Sequence, residues 1–135
     1  MYMLDSNICI YLIKSKNKIL IDKIAKVNKK DIFISTIVIS ELETGAKLSN
    51  FFDVDRFKLN QFLSAFNICD YNYNAAEKYG EIRSKLINKN LEKQVGALDL
   101  LIAAHAMSLN LTLITNNIRD YKNIYGLKLK DWSKI

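Results

Sequence analysis

An acidic residue lies in the most apolar stretch of this sequence. Ten of the thirteen residues at 97–109 are apolar, too many for a one-sided surface stripe, so we expect a helix buried nearly all round. Asp99 lies in its first turn, and Ala103 and Ala106 on the same face leave space beside it. A buried carboxylate is usually paired or next to a cation. The alternative is that Asp99 only stabilises the positive helix end.

Two further acids are predicted to lie near the same place. Asp5 follows the apolar run 1–4, at the carboxyl end of a predicted strand, where open α/β sheets bind ligands. On residue type alone, the more common role for Asp5 is an N-cap of the next helix. Glu41 lies in the helix after the second predicted strand. One acid from each of three elements predicts that they converge at one edge of the sheet.

The elements that position these acids alternate along the chain. The predicted strands are 1–4, 32–34, 67–70, 111–115 and 127–129. The predicted helices are 8–16, 19–27, 37–48 capped by Thr36, a helix through Ala65 capped by Asp53 or Asp55, 74–89, and 97–109. Short strands that alternate with helices predict a parallel α/β sandwich. Without a linker or repeat, residues 1–135 are expected to form one domain.

Length, composition and charge indicate which classes of protein this chain can belong to. The chain has 135 residues, of which half are apolar and a quarter charged, so it is predicted to fold by itself. A net charge of +6 and a pI near 9.3 favour a polyanionic partner such as nucleic acid. The sequence has no leader and no apolar run long enough for a bilayer, so we expect a soluble, cytoplasmic protein. Cys9 and Cys69 are interpreted as structural thiols.

Other polar and aromatic residues are open to two interpretations. Seven lysines fall within residues 14–30 and either guide an RNA backbone or form the solvated face of two helices. Tyr71, Tyr73 and Tyr79 either stack on unpaired bases or, as we favour, pack within the protein. Glu43 and Glu81 lie among residues of mixed polarity and are expected to be solvated.

The sequence lacks other common catalytic patterns. It has no glycine-rich phosphate loop, no G-x-S-x-G turn and no cysteine with a histidine base. His105 has no metal-ligand partner four residues further on and is predicted to be a packed helix residue. Carboxylates remain, and their hard oxygens suit Mg²⁺ or Mn²⁺.

Four segments of the chain form a combined pattern: MLDSNI at 3–8, ISTIVISEL at 34–42 with Gly45-Ala46, DLLIAAHA at 99–106, and TNNIRDY at 115–121 leading to Gly126-Leu127 and Asp131-Trp132. Together they resemble a known family, the PIN-domain ribonucleases, and within it the VapC toxins of type II toxin–antitoxin pairs. Each segment alone is a loose pattern. Their order and spacing over the whole chain make the resemblance specific.

The resemblance implies a single α/β/α sandwich with a short-stranded, mainly parallel central sheet. Asp5, Glu41 and Asp99 match the family's metal-binding acids. A fourth acid is expected from the loop after the fourth strand, where some relatives carry it at the position of Asn116 or Asn117. This chain offers Asp120, with Asn117 as a neutral ligand to metal-bound water; alternatively, Asp120 pairs with Arg119 or a lysine.

The resemblance also implies a function. Family members cleave RNA, often structured RNA such as transfer RNA, with Mg²⁺ or possibly Mn²⁺. In that chemistry Asp5 and Asp99 would bind the metal directly, while Glu41 and Asp120 would hold or deprotonate water or complete a second site. A VapB-type antitoxin inhibits the toxin and itself contacts operator DNA, and toxin homodimers form within the larger complex.

Two other classes of function remain open at this point. One is a non-catalytic module that binds RNA or a partner through the same fold. The other is a phosphate-transfer or receiver-like protein that uses Asp5 as a nucleophile, which is the weakest reading because no D-x-D pattern follows the first strand.

Overall fold

Five short strands, all parallel, form the middle of the molecule. The computed structural model describes all residues, 1–135. The strands are β1 (Tyr2–Leu4), β2 (Ile32–Ser35), β3 (Asn67–Cys69), β4 (Thr112–Ile114) and β5 (Leu129–Lys130). Their order across the sheet is β3-β2-β1-β4-β5, and every neighbouring pair is parallel. The predicted parallel α/β architecture is therefore confirmed.

The strand order creates a crevice between β1 and β4. The chain leaves β1 toward β2 on one side and leaves β4 toward β5 on the other. Connections that diverge in this way open a crevice at the carboxyl ends of the two strands, where open α/β sheets bind ligands. Asp5 follows β1, and Thr115 follows β4. Both residues therefore lie at this crevice.

Helices connect the parallel strands. They are α1 (Ser6–Ile13), α2 (Lys18–Ala25), α3 (Thr36–Leu48), α4 (Phe52–Ser64), α5 (Tyr73–Asn88), α6 (Ala97–Ser108) and α7 (Ile118–Tyr121). Right-handed crossovers in the two directions from β1 place the helices on opposite faces of the sheet, which gives three layers. None of these helices is both long enough and apolar enough to cross a bilayer.

Helix α6 is buried along most of its length, as the sequence predicts. Leu100 and the whole run from Ile102 to Ala106 are buried, and α6 packs along α5. His105 lies within this run, with its Nδ1 2.7 Å from the Ser35 hydroxyl and the Tyr71 ring edge-on at 5.5 Å. Burial lowers the pKa of His105. His105 is thus the packed helix residue that was predicted.

The two cysteines are free thiols. Cys9 is fully buried in the core, and burial raises its pKa. Cys69 is partly buried in β3, and burial raises its pKa to about 11. Thiols of this kind stay protonated at neutral pH and are poor nucleophiles, in line with a structural role.

Two predicted helix caps are wrong. The N-cap of α3 is Ser35, whose hydroxyl accepts the Ile37 N–H at 3.1 Å, while the Thr36 hydroxyl accepts the Tyr71 N–H at 3.1 Å. Helix α4 begins after Phe51, which gives no side-chain cap. Asp53 and Asp55 both lie inside its first turn, where their charges favour the positive helix end.

Three further details differ from the sequence-based expectation. The last strand is Leu129–Lys130 rather than 127–129, because its register follows backbone bonds to β4 such as Thr115 N–H to Lys130 O at 3.0 Å. Helix α7, only four residues long, is too short for any periodicity to predict. The apolar spacing of the sequence predicts that Phe57 and Leu59 share the buried stripe of α4, but Phe57 is 66% exposed, since it lies about 200° around α4 from the buried Leu59.

Glu43 is paired rather than solvated, contrary to the prediction. Its two oxygens accept from the Arg56 guanidinium at 2.8 and 2.6 Å, which joins α3 to α4. The Arg56 hydrogen bonds lower the pKa of Glu43 to about 2. Glu81 is exposed and contacts only the flexible Lys78 and Lys85, as expected.

We predict that Glu43→Gln lowers the melting temperature by a few degrees near neutral pH. The folded-state pKa of Glu43 lies below its ordinary value of 4.5, so its contribution is fully present above pH 4.5 and is lost as the pH falls toward 2. The difference between wild type and variant should therefore shrink across that range. Thermal melts from pH 7 to pH 2 measure it, and a difference that persists at pH 2 would contradict the account.

Candidate active site

Asp5 is buried at the crevice between β1 and β4. It is 5% exposed, and it caps α1 by accepting the Ser6 N–H on Oδ1 at 2.8 Å. Its Oδ2 accepts the Thr115 hydroxyl at 2.8 Å, across the crevice. The N-cap role and the crevice position, weighed as alternatives from the sequence, are therefore both present. Each oxygen has a second lone pair that remains available to a further ligand.

Glu41 reaches the same region from α3. Its Oε1 accepts the Ser6 hydroxyl at 2.7 Å, so one serine connects Glu41 to Asp5 through its side chain and backbone. No protein donor reaches Oε2 of Glu41. This oxygen is free to bind a water molecule or a cation.

Asp99 comes from the first turn of α6 and is partly buried. Its Oδ1 accepts the Tyr121 hydroxyl at 3.2 Å. Its Oδ2 lies against Gly96, where an added β-carbon would stand only 3.3 Å away. Gly96 therefore gives the carboxylate room that a larger residue would fill.

The acids influence one another electrostatically. Burial raises the pKa of Asp99, and the negative charges of Asp5, Asp120 and Glu41 raise it further, while the Tyr121 hydrogen bond opposes this effect. The charges of the other three predicted acids therefore all act on Asp99. We call Asp5, Glu41, Asp99 and Asp120 the carboxylate cluster.

The residues after β4 complete one side of the cluster. Asp120 is exposed and takes part in none of the ion pairs of the structure, so the predicted alternative of a pair with Arg119 or a lysine is not realised. The Asn117 N–H donates to the Thr115 hydroxyl at 3.0 Å, and its side chain makes no hydrogen bond. The Asn116 amide donates to the Tyr11 hydroxyl at 3.1 Å.

The carboxylate cluster is an open site and not a closed cage. No three His, Cys, Asp or Glu side chains lie close enough together to hold one ion directly. Mg²⁺ does not require such a cage, because it keeps several waters and binds proteins through one or two carboxylates. Oxygen donors with free lone pairs, crowded with like charge, fit a hydrated Mg²⁺ or Mn²⁺ ion.

Sequence reasoning missed the hydroxyl groups that orient these acids. Ser6, Thr115 and Tyr121 each donate to one acid of the cluster. Ser6 adjoins Asp5 after the first predicted strand, and Thr115 ends the fourth, which is a usable signal. Tyr121 ends the segment TNNIRDY but lies more than twenty residues from Asp99, so only the tertiary structure places its hydroxyl beside this acid.

An apolar groove begins beside Glu41. It lies between α1, α3 and α4 and has a volume of about 200 Å³. Its walls consist of Ile10, Ile13, Leu42, Ala46 and Leu59, with Lys14 and Lys58 at the rim. Two large apolar side chains at the start of α4, Phe51 and Phe52, are exposed. A groove of this kind is suited to an apolar peptide segment.

The lysines of residues 14–30 and the three candidate stacking tyrosines differ in their exposure. Of the seven lysines in residues 14–30, all but Lys23 are exposed, and Lys18 pairs with Asp22. Tyr71 packs on His105 and Tyr79 packs against the core, as favoured from the sequence. Tyr73 is 77% exposed.

A protein family and several bacterial proteins are similar to this chain over most of its length. The sequence pattern of the PIN domain family matches residues 2–127. Ribonuclease VapC2 of Rickettsia felis is 40% identical over 134 residues, covering 98% of both chains. A tRNA(fMet)-specific endonuclease VapC of Shigella flexneri is 35% identical over 132 residues, also covering 98% of both. A similar solved structure is the crystal structure of VapBC2 from Rickettsia felis bound to a DNA fragment from its promoter. One chain of it matches this protein with a TM-score of 0.86 and 40% sequence identity, and the match covers 97% of this chain and 98% of that one.

We predict that Asp99→Asn melts at or above the wild-type temperature in EDTA at neutral pH. The change removes charge repulsion but keeps the volume and an acceptor for Tyr121. Mn²⁺ at a hundredfold excess over the dissociation constant of the wild type should then stabilise the wild type by about 2.7 kcal/mol and the variant by less. Thermal melts of both proteins at constant ionic strength measure this. Equal gains from Mn²⁺ would show that Asp99 does not bind the cation.

The same pair of proteins tests the pKa of Asp99. Because this pKa is raised in the folded state, the contribution of Asp99 to stability is fully present below its ordinary value of 3.8 and is lost as the pH rises through the raised value. The advantage of Asp99→Asn in EDTA should therefore grow as the pH rises from 4 to 7. An advantage that shrinks over this range would contradict the raised pKa.

Proposed function

This chain belongs to the PIN domain family, and we propose that it is the toxin of a type II toxin–antitoxin pair, a metal-dependent endoribonuclease. The observation that carries this proposal is the carboxylate cluster at the crevice between β1 and β4. Relatives named as VapC ribonucleases match this chain over nearly their full length. Residues 1–135 act as one PIN domain in this proposal.

Asp5 and Asp99 are the proposed direct ligands of Mg²⁺, with Mn²⁺ as a possible substitute. When bound, the cation would lower the pKa of the attacking water and offset the negative charge that develops on the phosphate. Thr115 and Tyr121 orient the two ligands, one hydroxyl for each. Both carboxylates keep a lone pair for the cation on each oxygen.

In the proposed mechanism, Glu41 and Asp120 hold or deprotonate water. Ser6 holds Oε1 of Glu41 at 2.7 Å, which leaves Oε2 to orient or deprotonate the attacking water. Asp120 is exposed, and its negative charge acts on Asp99. In this proposal Asp120 completes the site, with Asn117 as a neutral ligand to metal-bound water. His105 is buried against Ser35 and takes no part.

The proposed substrate is structured RNA such as transfer RNA. One relative is named as a tRNA(fMet)-specific endonuclease, and the net charge of +6 favours a polyanion. Lys14 and Lys58 border the groove that leads to Glu41, so they are placed to neutralise backbone phosphates. The protein acts in the cytoplasm, where that RNA is found.

The proposed inhibitor is a VapB-type antitoxin. The apolar groove beside Glu41 is suited to an antitoxin segment that covers the approach to the cluster. A related toxin is known in a VapBC complex bound to promoter DNA, and we propose that this chain likewise contacts operator DNA only through its antitoxin. A homodimer of the toxin within that complex is part of the same proposal.

Cleavage of RNA by the purified protein tests the enzymatic part of this proposal. We predict that Mg²⁺ or Mn²⁺ is required and that Asp99→Asn lowers the rate by about a hundredfold or more, since one ligand charge is lost at constant volume. Glu81→Gln is the matched control, because Glu81 is an exposed acid outside the cluster. Cleavage at the wild-type rate by Asp99→Asn would remove this residue from the mechanism.

Expression in cells tests the toxin part. We predict that the wild type arrests growth when expressed alone, that co-expression of its cognate antitoxin relieves the arrest, and that Asp99→Asn is harmless at equal protein level. Growth rate and immunoblotting measure these effects. Harmless accumulation of folded wild-type protein would favour the alternative, a binding module without catalysis.

A further inference from the structure

Tyr121 places a hydroxyl group inside the protein beside the carboxylate cluster. Its side chain is 1% exposed and packs in the hydrophobic core at the end of α7. A buried hydroxyl is costly without a hydrogen-bond partner, and a phenylalanine would fill the same volume without that cost. The hydroxyl meets this cost by donating to Oδ1 of Asp99 at 3.2 Å.

Asp99 has no other donor to fix its carboxylate. Asp5 receives two hydrogen bonds, one on each oxygen, whereas Asp99 receives only the one from Tyr121. On the other side, Oδ2 of Asp99 rests against Gly96, which has no side chain to hold it. Free rotation of the carboxylate is therefore restrained at one point, the Tyr121 hydroxyl.

The burial of Tyr121 also rules out direct contact with a large substrate. A side chain that is 1% exposed cannot reach an RNA chain in solution, so Tyr121 acts on the site through the acids beside it, Asp99 by the hydrogen bond and Asp5 by its nearby charge. Groups that hydrogen-bond to metal-binding carboxylates orient them and tune their affinity for the ion. The position and the bond of Tyr121 match that role.

We propose that the Tyr121 hydroxyl is a positioning group for the cation site, holding Oδ1 of Asp99 so that the remaining lone pairs of this carboxylate face Asp5 and the bound ion. The inference rests on the proposed function, in which Asp99 is a metal ligand. In this proposal α7 does more than pack against the core, because this one-turn helix carries Asp120 and, through Tyr121, hydrogen-bonds to the ligand on α6.

The test is Tyr121→Phe, which deletes the hydroxyl and keeps the ring in the core. We expect the dissociation constant for Mn²⁺, measured by calorimetry and by electron paramagnetic resonance, to rise about tenfold or more. The melting temperature in EDTA should stay close to that of the wild type. RNA cleavage should need more Mn²⁺ to reach its maximum, with a smaller change in the rate at saturating Mn²⁺.

Tyr125→Phe is the matched control, because this tyrosine is 91% exposed and the same hydroxyl is removed where it contacts nothing. Its Mn²⁺ affinity should equal that of the wild type. A second variant, Gly96→Ala, acts on the other oxygen by placing a methyl group 3.3 Å from Oδ2, in a backbone conformation that alanine accepts. It should also weaken Mn²⁺ binding, whether or not Tyr121→Phe folds.

Wild-type Mn²⁺ affinity in Tyr121→Phe would overturn the inference. A weaker affinity that comes with an equally large loss of stability in EDTA would also overturn it, since the hydroxyl would then act only through packing. If Tyr121→Phe does not fold, wild-type affinity in Gly96→Ala decides against it. Failure of the proposed function is distinguishable, because the wild type would then neither bind Mn²⁺ nor cleave RNA.

Discussion

Repulsion among like charges at one edge of the sheet is the constraint on which the site depends. Asp5, Glu41, Asp99 and Asp120 are close enough that the other three charges raise the pKa of Asp99. Carboxylates cannot be crowded in a partly buried place without something that offsets their charge. Hydroxyl donors offset part of the repulsion, and a divalent cation would offset the rest. The metal-free site is therefore expected to cost stability that binding of the ion recovers.

The fold provides this crowding through its topology. Parallel strands β1 and β4 end side by side, and their connections diverge, so a crevice opens where Asp5 and Thr115 meet. Helix α6 is held rigidly by burial along its length, which fixes the backbone of Asp99. The core thus positions the backbone of the acids, and the hydrogen bonds to their carboxylates set the orientation of the side chains. A substitution that loosens the packing of α6 would therefore displace Asp99 and disturb the site.

The sequence predicts the acids of the site but not the hydrogen bonds that the surrounding residues make to them. Asp99 is predicted because a charge in an apolar helix is unusual, Asp5 because it ends a strand, and Glu41 because it lies in the helix after the second strand. Only Asp120 needs the family resemblance. The bond from Tyr121 to Asp99 and the pair between Glu43 and Arg56 depend on tertiary contacts that no local pattern encodes. The fold class and most elements were predicted from periodicity, whereas the caps of α3 and α4 and the bounds of β5 were not, since neighbouring strands and loops decide them.

Anomalous X-ray diffraction from crystals of the wild-type protein grown with Mn²⁺ tests the central claim most directly. The account predicts an anomalous peak in the crevice between β1 and β4, with oxygens of Asp5 and Asp99 within about 2.1 Å of the ion, the distance typical of hard octahedral cations. Glu41 should contact the ion through water. A peak bound elsewhere, or an empty crevice at Mn²⁺ concentrations that support RNA cleavage, would contradict the account.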